Sequence, residues 1–209
     1  MLSEQQPVKR TRMRSEERRA LILQRARHVF ANSTYADAST GELARESEVT
    51  EPMLYKHFGS KKGLFLAVLS ECSQQFLSTL QQRFARRAEQ DVLDALTHIV
   101  DEYNAAMTDD PETQRVLFQA VNEASDPEVA QCISRHNRKV YLLIRQLVER
   151  AQESGYLEPT INLDAATWGY MSMILALQYG LMLNLSGEIA KVQEEMGRVW
   201  LRGLLTPES

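Results

Sequence analysis

Apolar side chains recur along this chain at intervals of three and four residues from about Leu21 onward, the period of α-helices that bury one stripe against a core. Leu21, Ile22, Ala26, Val29 and Phe30 mark a first helix over 15–32. Ser15 is placed to cap it, and Glu16 and Glu17 suit its N-terminal dipole. Ser39 or Thr40 then caps a short second helix over 41–48, carrying Leu43 and Ala44. Thr50 caps a third over 51–58, where Pro52 is tolerated in the first turn and Gly59 provides the stop. A long amphipathic helix over 61–87 follows, marked by Leu64, Phe65, Val68, Leu69, Phe76, Leu80 and Phe84.

The pattern stays helical to the end, over 91–107, 112–122, 127–153, 163–185 and 188–204. Breaks fall at Asp109-Asp110-Pro111, Asp126-Pro127, Gly155 with Pro159, and Ser186-Gly187. No alternation of period two persists, so the fold is predicted to be all-α with nine helices. Two short helices around a tight turn, behind a longer first one, have the layout of a helix-turn-helix domain. The expected organisation is an arm over 1–14, that domain over 15–60 and a helical body over 61–209.

Charge sharpens this division. Residues 1–62 carry 12 Lys and Arg against 8 Asp and Glu, whereas the remainder carries 12 against 20. The arm alone holds Lys9, Arg10, Arg12 and Arg14. A basic first quarter on an acidic body points to a polyanion met at one end. Composition adds exclusions: 44% hydrophobic and 25% charged residues describe an ordinary globular chain. Cys72 and Cys132 are too few and too far apart for a disulfide framework. The polar, basic start does not read as a signal peptide, and the most apolar run is interrupted by Gln178, Tyr179 and Gly180. A cytoplasmic protein with no membrane partner is expected.

The segment from Thr40 to Lys61 closely resembles the DNA-binding signature of the tetracycline-repressor (TetR) family. It has Thr40, the pair Leu43-Ala44, Thr50, the run Leu54-Tyr55-Lys56-His57-Phe58, the junction Gly59-Ser60-Lys61 and then Leu64, with Phe30 and Tyr35 suitably placed before it. Two positions depart from the family pattern. Ser47-Glu48 replaces Ala-Gly at the turn, where a glutamate at positive φ costs roughly 1 kcal/mol. Pro52 inside the third helix is also less common.

The resemblance implies a transcriptional regulator, most simply a repressor, binding double-stranded operator DNA as a homodimer and released by a small-molecule effector. Thr50, Glu51, Met53 and Lys56 are expected to face outward from the recognition helix, with Leu54 and Phe58 facing the core. Lys56 suits a guanine edge or a phosphate, and Met53 a thymine methyl. By resemblance Tyr55 and His57 bond phosphates. Thr40, Thr50 and Lys61 lie near helix N-termini that favour a phosphate, and Arg14 belongs to an arm suited to the backbone or minor groove.

In the body, the polar and aromatic interruptions His98, Tyr103, Asn104, Phe118, Asn122, Tyr141, Trp168, Met171 and Gln178 are candidates for an effector pocket. By resemblance the last two helices form the dimer surface, through Ile174, Leu177, Leu181 and Leu185 on one and Val192, Met196, Val199 and Trp200 on the other. An enzyme lacks support, because His28, His57, His98 and His136 show no metal-ligand spacing and no phosphate loop or nucleophile motif appears. No metal or cofactor is expected. A non-inducible DNA-binding regulator or architectural protein on the same fold differs by lacking an internal cavity.

Overall fold

The computed structural model describes residues 15–206 except 184 and 190, and the side chains of these except 181, 182, 186, 189 and 193. The arm with Arg14, and the side chain of Leu181, lie outside the described residues. The fold is all-α, and among the described residues eleven helical segments are found. They form two compact units, one through Val68 and one from Leu69 onward.

The first unit contains α1 (Ser15–Asn32), α2 (Thr40–Glu46), α3 (Glu51–Phe58) and the opening turns of α4 (Lys61–Gln90). Its core is Ile22, Ala26, Val29 and Phe30 of α1 with Leu43, Leu54, Leu64, Phe65 and Val68. Phe30 and Phe65 meet edge to face at 5.0 Å, and Tyr35 meets Phe65 in a tilted arrangement at 4.7 Å. Since Leu64, Phe65 and Val68 are part of this core, the unit extends past the expected boundary at residue 60.

The Ser39 hydroxyl caps α2 by accepting from the Glu42 N–H at 3.1 Å. α2 ends two residues sooner than its apolar pattern suggests, because Glu48 turns to φ 55°. That turn lets Val49 N–H reach back to the Ala44 carbonyl at 3.0 Å, satisfying a terminal acceptor. The left-handed conformation normally filled by glycine is therefore kept by a glutamate. Gly59, at φ 75°, closes α3 as expected.

The second unit holds the rest of α4, then α5 (Val92–Thr97), α6 (Ile99–Thr108), α7 (Pro111–Asn122), α8 (Pro127–Glu153), α9 (Leu163–Met182), α10 (Ser186–Ile189) and α11 (Gln193–Arg202). Asp91, Asp110 and Asp126 cap α5, α7 and α8 with their carboxylates, and Pro111 and Pro127 occupy first turns. The continuous helix expected over 91–107 is broken at His98, where φ is −105° and ψ is 17°. The reason lies in another element: Gly197 of α11 comes so close to this break that a Cβ there would stand 2.7 Å from the Thr97 carbonyl oxygen. The last expected helix likewise divides into α10 and α11.

One charged group is buried in this apolar unit. Glu102 of α6 accepts from Arg83 Nη1 at 2.9 Å and from Arg87 Nε at 2.7 Å. Arg87 also reaches Asp94 at 2.6 Å, and Arg83 bonds Asp109. Burial works to raise the Glu102 pKa, but the hydrogen bonds and charges of Arg83 and Arg87 outweigh it and carry the carboxyl below its usual range. At the far end, Leu157 and Leu205 form an antiparallel bridge. Glu158 N–H donates to the Leu204 carbonyl at 3.0 Å and Thr206 N–H to that of Tyr156 at 3.1 Å.

Glu48→Gly is expected to relieve the left-handed strain and raise stability by up to about 1 kcal/mol. Urea unfolding of the two proteins checks this, and a loss of stability would show that Glu48 is not strained.

Candidate DNA interface and interior cavity

The third helix is held from behind. Leu54 is buried under α3, and the Arg19 guanidinium lies 5.1 Å from the centre of the Phe58 ring. Glu51, Pro52, Tyr55 and Lys56 form the exposed arc of α3, with Thr50 exposed at its N-terminus. Thr50 caps the helix by its backbone alone. Two expectations change here. Met53 is half-buried, its sulfur accepting from Arg18 Nη1 at 3.5 Å, and Phe58 is half-buried below Arg19 rather than fully inside. His57 is half-buried on the same flank as Met53. Arg18 and Arg19 were not foreseen, because a residue of α1 is brought to α3 only by tertiary packing.

Two further candidates are engaged within the unit. Thr40 donates its hydroxyl proton to Glu51 Oε2 at 2.8 Å, tying the start of α2 to the start of α3. The Lys61 ammonium donates to the carbonyls of Ala38 at 2.8 Å and Ala36 at 3.2 Å, and sits 4.7 Å from the centre of the Tyr35 ring. Lys61 therefore fastens the loop between α1 and α2. The junction of α3 and α4 has no space for a side chain at Gly63, since a Cβ there would lie 2.0 Å from the Phe58 carbonyl oxygen.

Within the second unit, a cavity of about 540 Å³ opens among α4, α6, α7, α8 and α9. Its walls are mostly apolar, including Leu69, Met107, Leu117, Ile133 and Leu175. Of the expected pocket residues, Phe118 and Gln178 line it. Tyr103 is buried behind Gln178, whose Nε2 donates to the tyrosine oxygen. Tyr141, Trp168 and Met171 line an adjoining cavity of about 470 Å³ that shares Ile133 and Asn137 with the first. His98, Asn104 and Asn122 line none of the cavities described. His98 bonds Asp94 at the α5–α6 break, and Asn122 is exposed at the end of α7.

His136 is the polar group that residue spacing did not reveal. It is buried in α8, with Nδ1 2.9 Å from the Ser73 hydroxyl of α4, and it lines the large cavity. Burial, assisted by the charge of Lys139, pushes its pKa down to about 4, so the ring is neutral at pH 7. A lone histidine on an apolar face gives no signal in sequence until its partner is known.

The expected dimer residues separate into two groups. Ile174 and Leu177 are 2% and 3% exposed and belong to the unit's own core, which corrects their assignment to a surface. Trp200 is half-buried and packed against Gly169, where a Cβ would meet its ring at 1.9 Å. Leu185, Val192, Met196 and Val199 are exposed. Unforeseen neighbours join them on α9: Trp168, Leu175 and Tyr179, spaced seven and four residues apart on one face. An all-round apolar helix does not indicate which side faces inward.

Residues 22–68 match the family described as bacterial regulatory proteins, tetR family. The chain is 32% identical over 119 residues to the HTH-type transcriptional activator FasR of Mycolicibacterium smegmatis, a match covering 57% of this chain and about half, 53%, of that protein. It is 25% identical over 175 residues to the HTH-type transcriptional regulator UidR of Escherichia coli, covering 81% of this chain and 82% of that one. A crystal structure of a Mesorhizobium loti protein assigned to the same family superimposes with a TM-score of 0.80 at 16% identity, over 93% of this chain and 100% of that one. Residues 22–68 are therefore a DNA-binding domain of the TetR family. This regulator is a DNA-binding transcription factor, not an enzyme, and the matched segment spans α2, α3 and the Gly63 junction. Among its described residues no helix is long and apolar enough to cross a membrane.

Gly63→Ala forces its methyl group against backbone that cannot swing aside, and is expected to cost about 1–3 kcal/mol. Thermal unfolding of the regulator tests it; an unchanged midpoint would mean that the α3–α4 junction opens freely.

Proposed function

We propose that this regulator is a ligand-released repressor that binds a palindromic operator as a homodimer. In this reading the first unit, with the arm over 1–14, meets DNA, and the second binds effector and partner. The observation that carries the DNA half is α3 itself: Leu54 locks one side, while Thr50, Tyr55 and Lys56 stand on an exposed polar arc beside the N-terminus. Tyr55 and Lys56 take phosphates or a base edge, and His57 flanks them. The positive end of α3 favours the backbone. Lys61, Thr40 and Glu51 act by holding the α1–α2 loop and α2 in place around α3. Met53 serves mainly as packing against Arg18.

The apolar face shared by α9 and α11 supports the homodimer. Val199 and Tyr179 are 59% and 63% exposed, and α9 carries a single charge, Asp164, across its length. On α11, Glu194 and Glu195 pair with Arg198 beside Val199, a mixture of signs that a two-fold axis can match to itself. A dimer also sets two recognition helices at the spacing of successive major grooves.

The cavity supports ligand release over the non-inducible alternative. α4 is a single helix whose first turns belong to the first unit and whose Leu69 and Ser73 line the cavity. A ligand that displaces this wall moves a helix continuous with the DNA-binding core, and favours a state whose recognition helices no longer match the operator.

The primary test is titration of the regulator against its own upstream intergenic DNA and a random duplex across a salt series. Selective binding is expected, and equal weak binding to both would remove the local operator. Tyr55→Phe should weaken binding evenly across operator variants. Lys56→Ala should do so while lowering the salt slope by about 1, and unchanged affinity in both would remove α3 from the contact. Val199→Glu places an unpaired charge in the interface, costing about 2–5 kcal/mol, and should yield folded monomers by light scattering. An unaltered dimer would place the interface elsewhere.

A further inference from the structure

The large cavity has a smaller neighbour. A second cavity of about 280 Å³ lies along the seam between α4 and α8, and the two share Leu69, Ser73, Cys132 and His136 as lining. Their chemistry is opposite. The lining of the large cavity contains no Lys, Arg, Asp or Glu. The small one adds Ser70, Gln74, Arg135 and Lys139, two cations and no carboxylate. Cys132, Arg135, His136 and Lys139 fall at helical spacing on one face of α8, so both cations stand beside the buried histidine. Arg135 donates to the Cys132 sulfur at 3.2 Å, and neither cation meets a carboxylate among the described residues.

We infer that the two cavities form one site for an amphipathic anion, with its apolar body in the large cavity and its head group at Arg135 and Lys139. This rests on the reading above that a small molecule occupies the large cavity. An anionic head inside the apolar chamber would lose its hydration with nothing to replace it, so the charge must stay at the seam. There a guanidinium and an ammonium supply charge-assisted hydrogen bonds to carboxylate or phosphate oxygens. Ser73 and His136, whose hydroxyl and Nδ1 lie 2.9 Å apart, line both chambers together with Leu69 and Cys132. In this site the chain of the ligand passes between the chambers at these shared residues. A neutral ring at this position adds no charge of its own to the path of the chain. The volume of the large chamber lies within the usual range for small-molecule pockets.

Calorimetry on the full chain with dodecanoate, dodecyl phosphate and dodecanol tests the assignment, and the first two tell a carboxylate head from a phosphate head. At least one anion is expected to bind about ten-fold tighter than the alcohol, and the alcohol should compete with it for the same chamber. The paired variant Arg135→Gln, Lys139→Gln alters two exposed side chains and should erase the preference while leaving dodecanol affinity unchanged. Equal affinity for alcohol and anions, absence of competition, or a preference that survives in the variant would overturn the inference. Operator release is recorded in the same titrations. Anion binding that leaves operator affinity untouched removes the ligand-release reading and spares this one. Release by dodecanol as readily as by the anions does the reverse.

Discussion

The second unit is organised around a buried carboxylate that has to be neutralised. Glu102 sits in α6 among apolar side chains, and an unpaired ion there would cost several kcal/mol. Arg83 and Arg87, one helical turn apart on α4, meet its two oxygens from one side. Because each guanidinium is directional, the pairing fixes both the register and the rotation of α4 against α6. Asp94 and Asp109 extend the grip to α5 and to the end of α6. With the C-terminal half of α4 held this way, Leu69 and Ser73, more than two turns earlier, form a wall that is not pinned by ions.

Charge is thus distributed unevenly along α4. Ion pairs fasten the end near Arg87, whereas the stretch beside the cavity has the Ser73–His136 hydrogen bond and apolar contacts. Apolar contacts are non-directional and tolerate sliding, while a paired buried ion does not. The stretch of α4 that lines the cavity is the part held by the more forgiving forces.

Much of this architecture was legible in the sequence because it is local. Asp91, Asp110, Asp126 and Ser39 cap their helices by bonds spanning two or three residues, and the signature around Tyr55 occupies one short segment. The glutamate at the α2–α3 turn was recognisable as strained because backbone conformation depends on the residue itself. What was missed is tertiary. The break at His98 comes from Gly197, a hundred residues away, and the inward facing of Ile174 and Leu177 depends on which neighbours cover α9. His136 and the cations beside it belong to a cavity formed only when α4 meets α8. Arg18 and Arg19 reach α3 by the packing of α1, which no spacing rule in the chain expresses.

The contact between Gly169 and Trp200 has a consequence for how surfaces of this kind diverge. The indole lies directly on the backbone of α9, leaving no side chain between the two helices to act as a compressible spacer. The two exposed apolar rows, on α9 and on α11, are therefore indexed to one another by an interior joint rather than by anything on the surface. Substitutions on the outer rows can change the chemistry of that surface while the angle between the helices is inherited intact. A change of that angle has to begin at the joint itself.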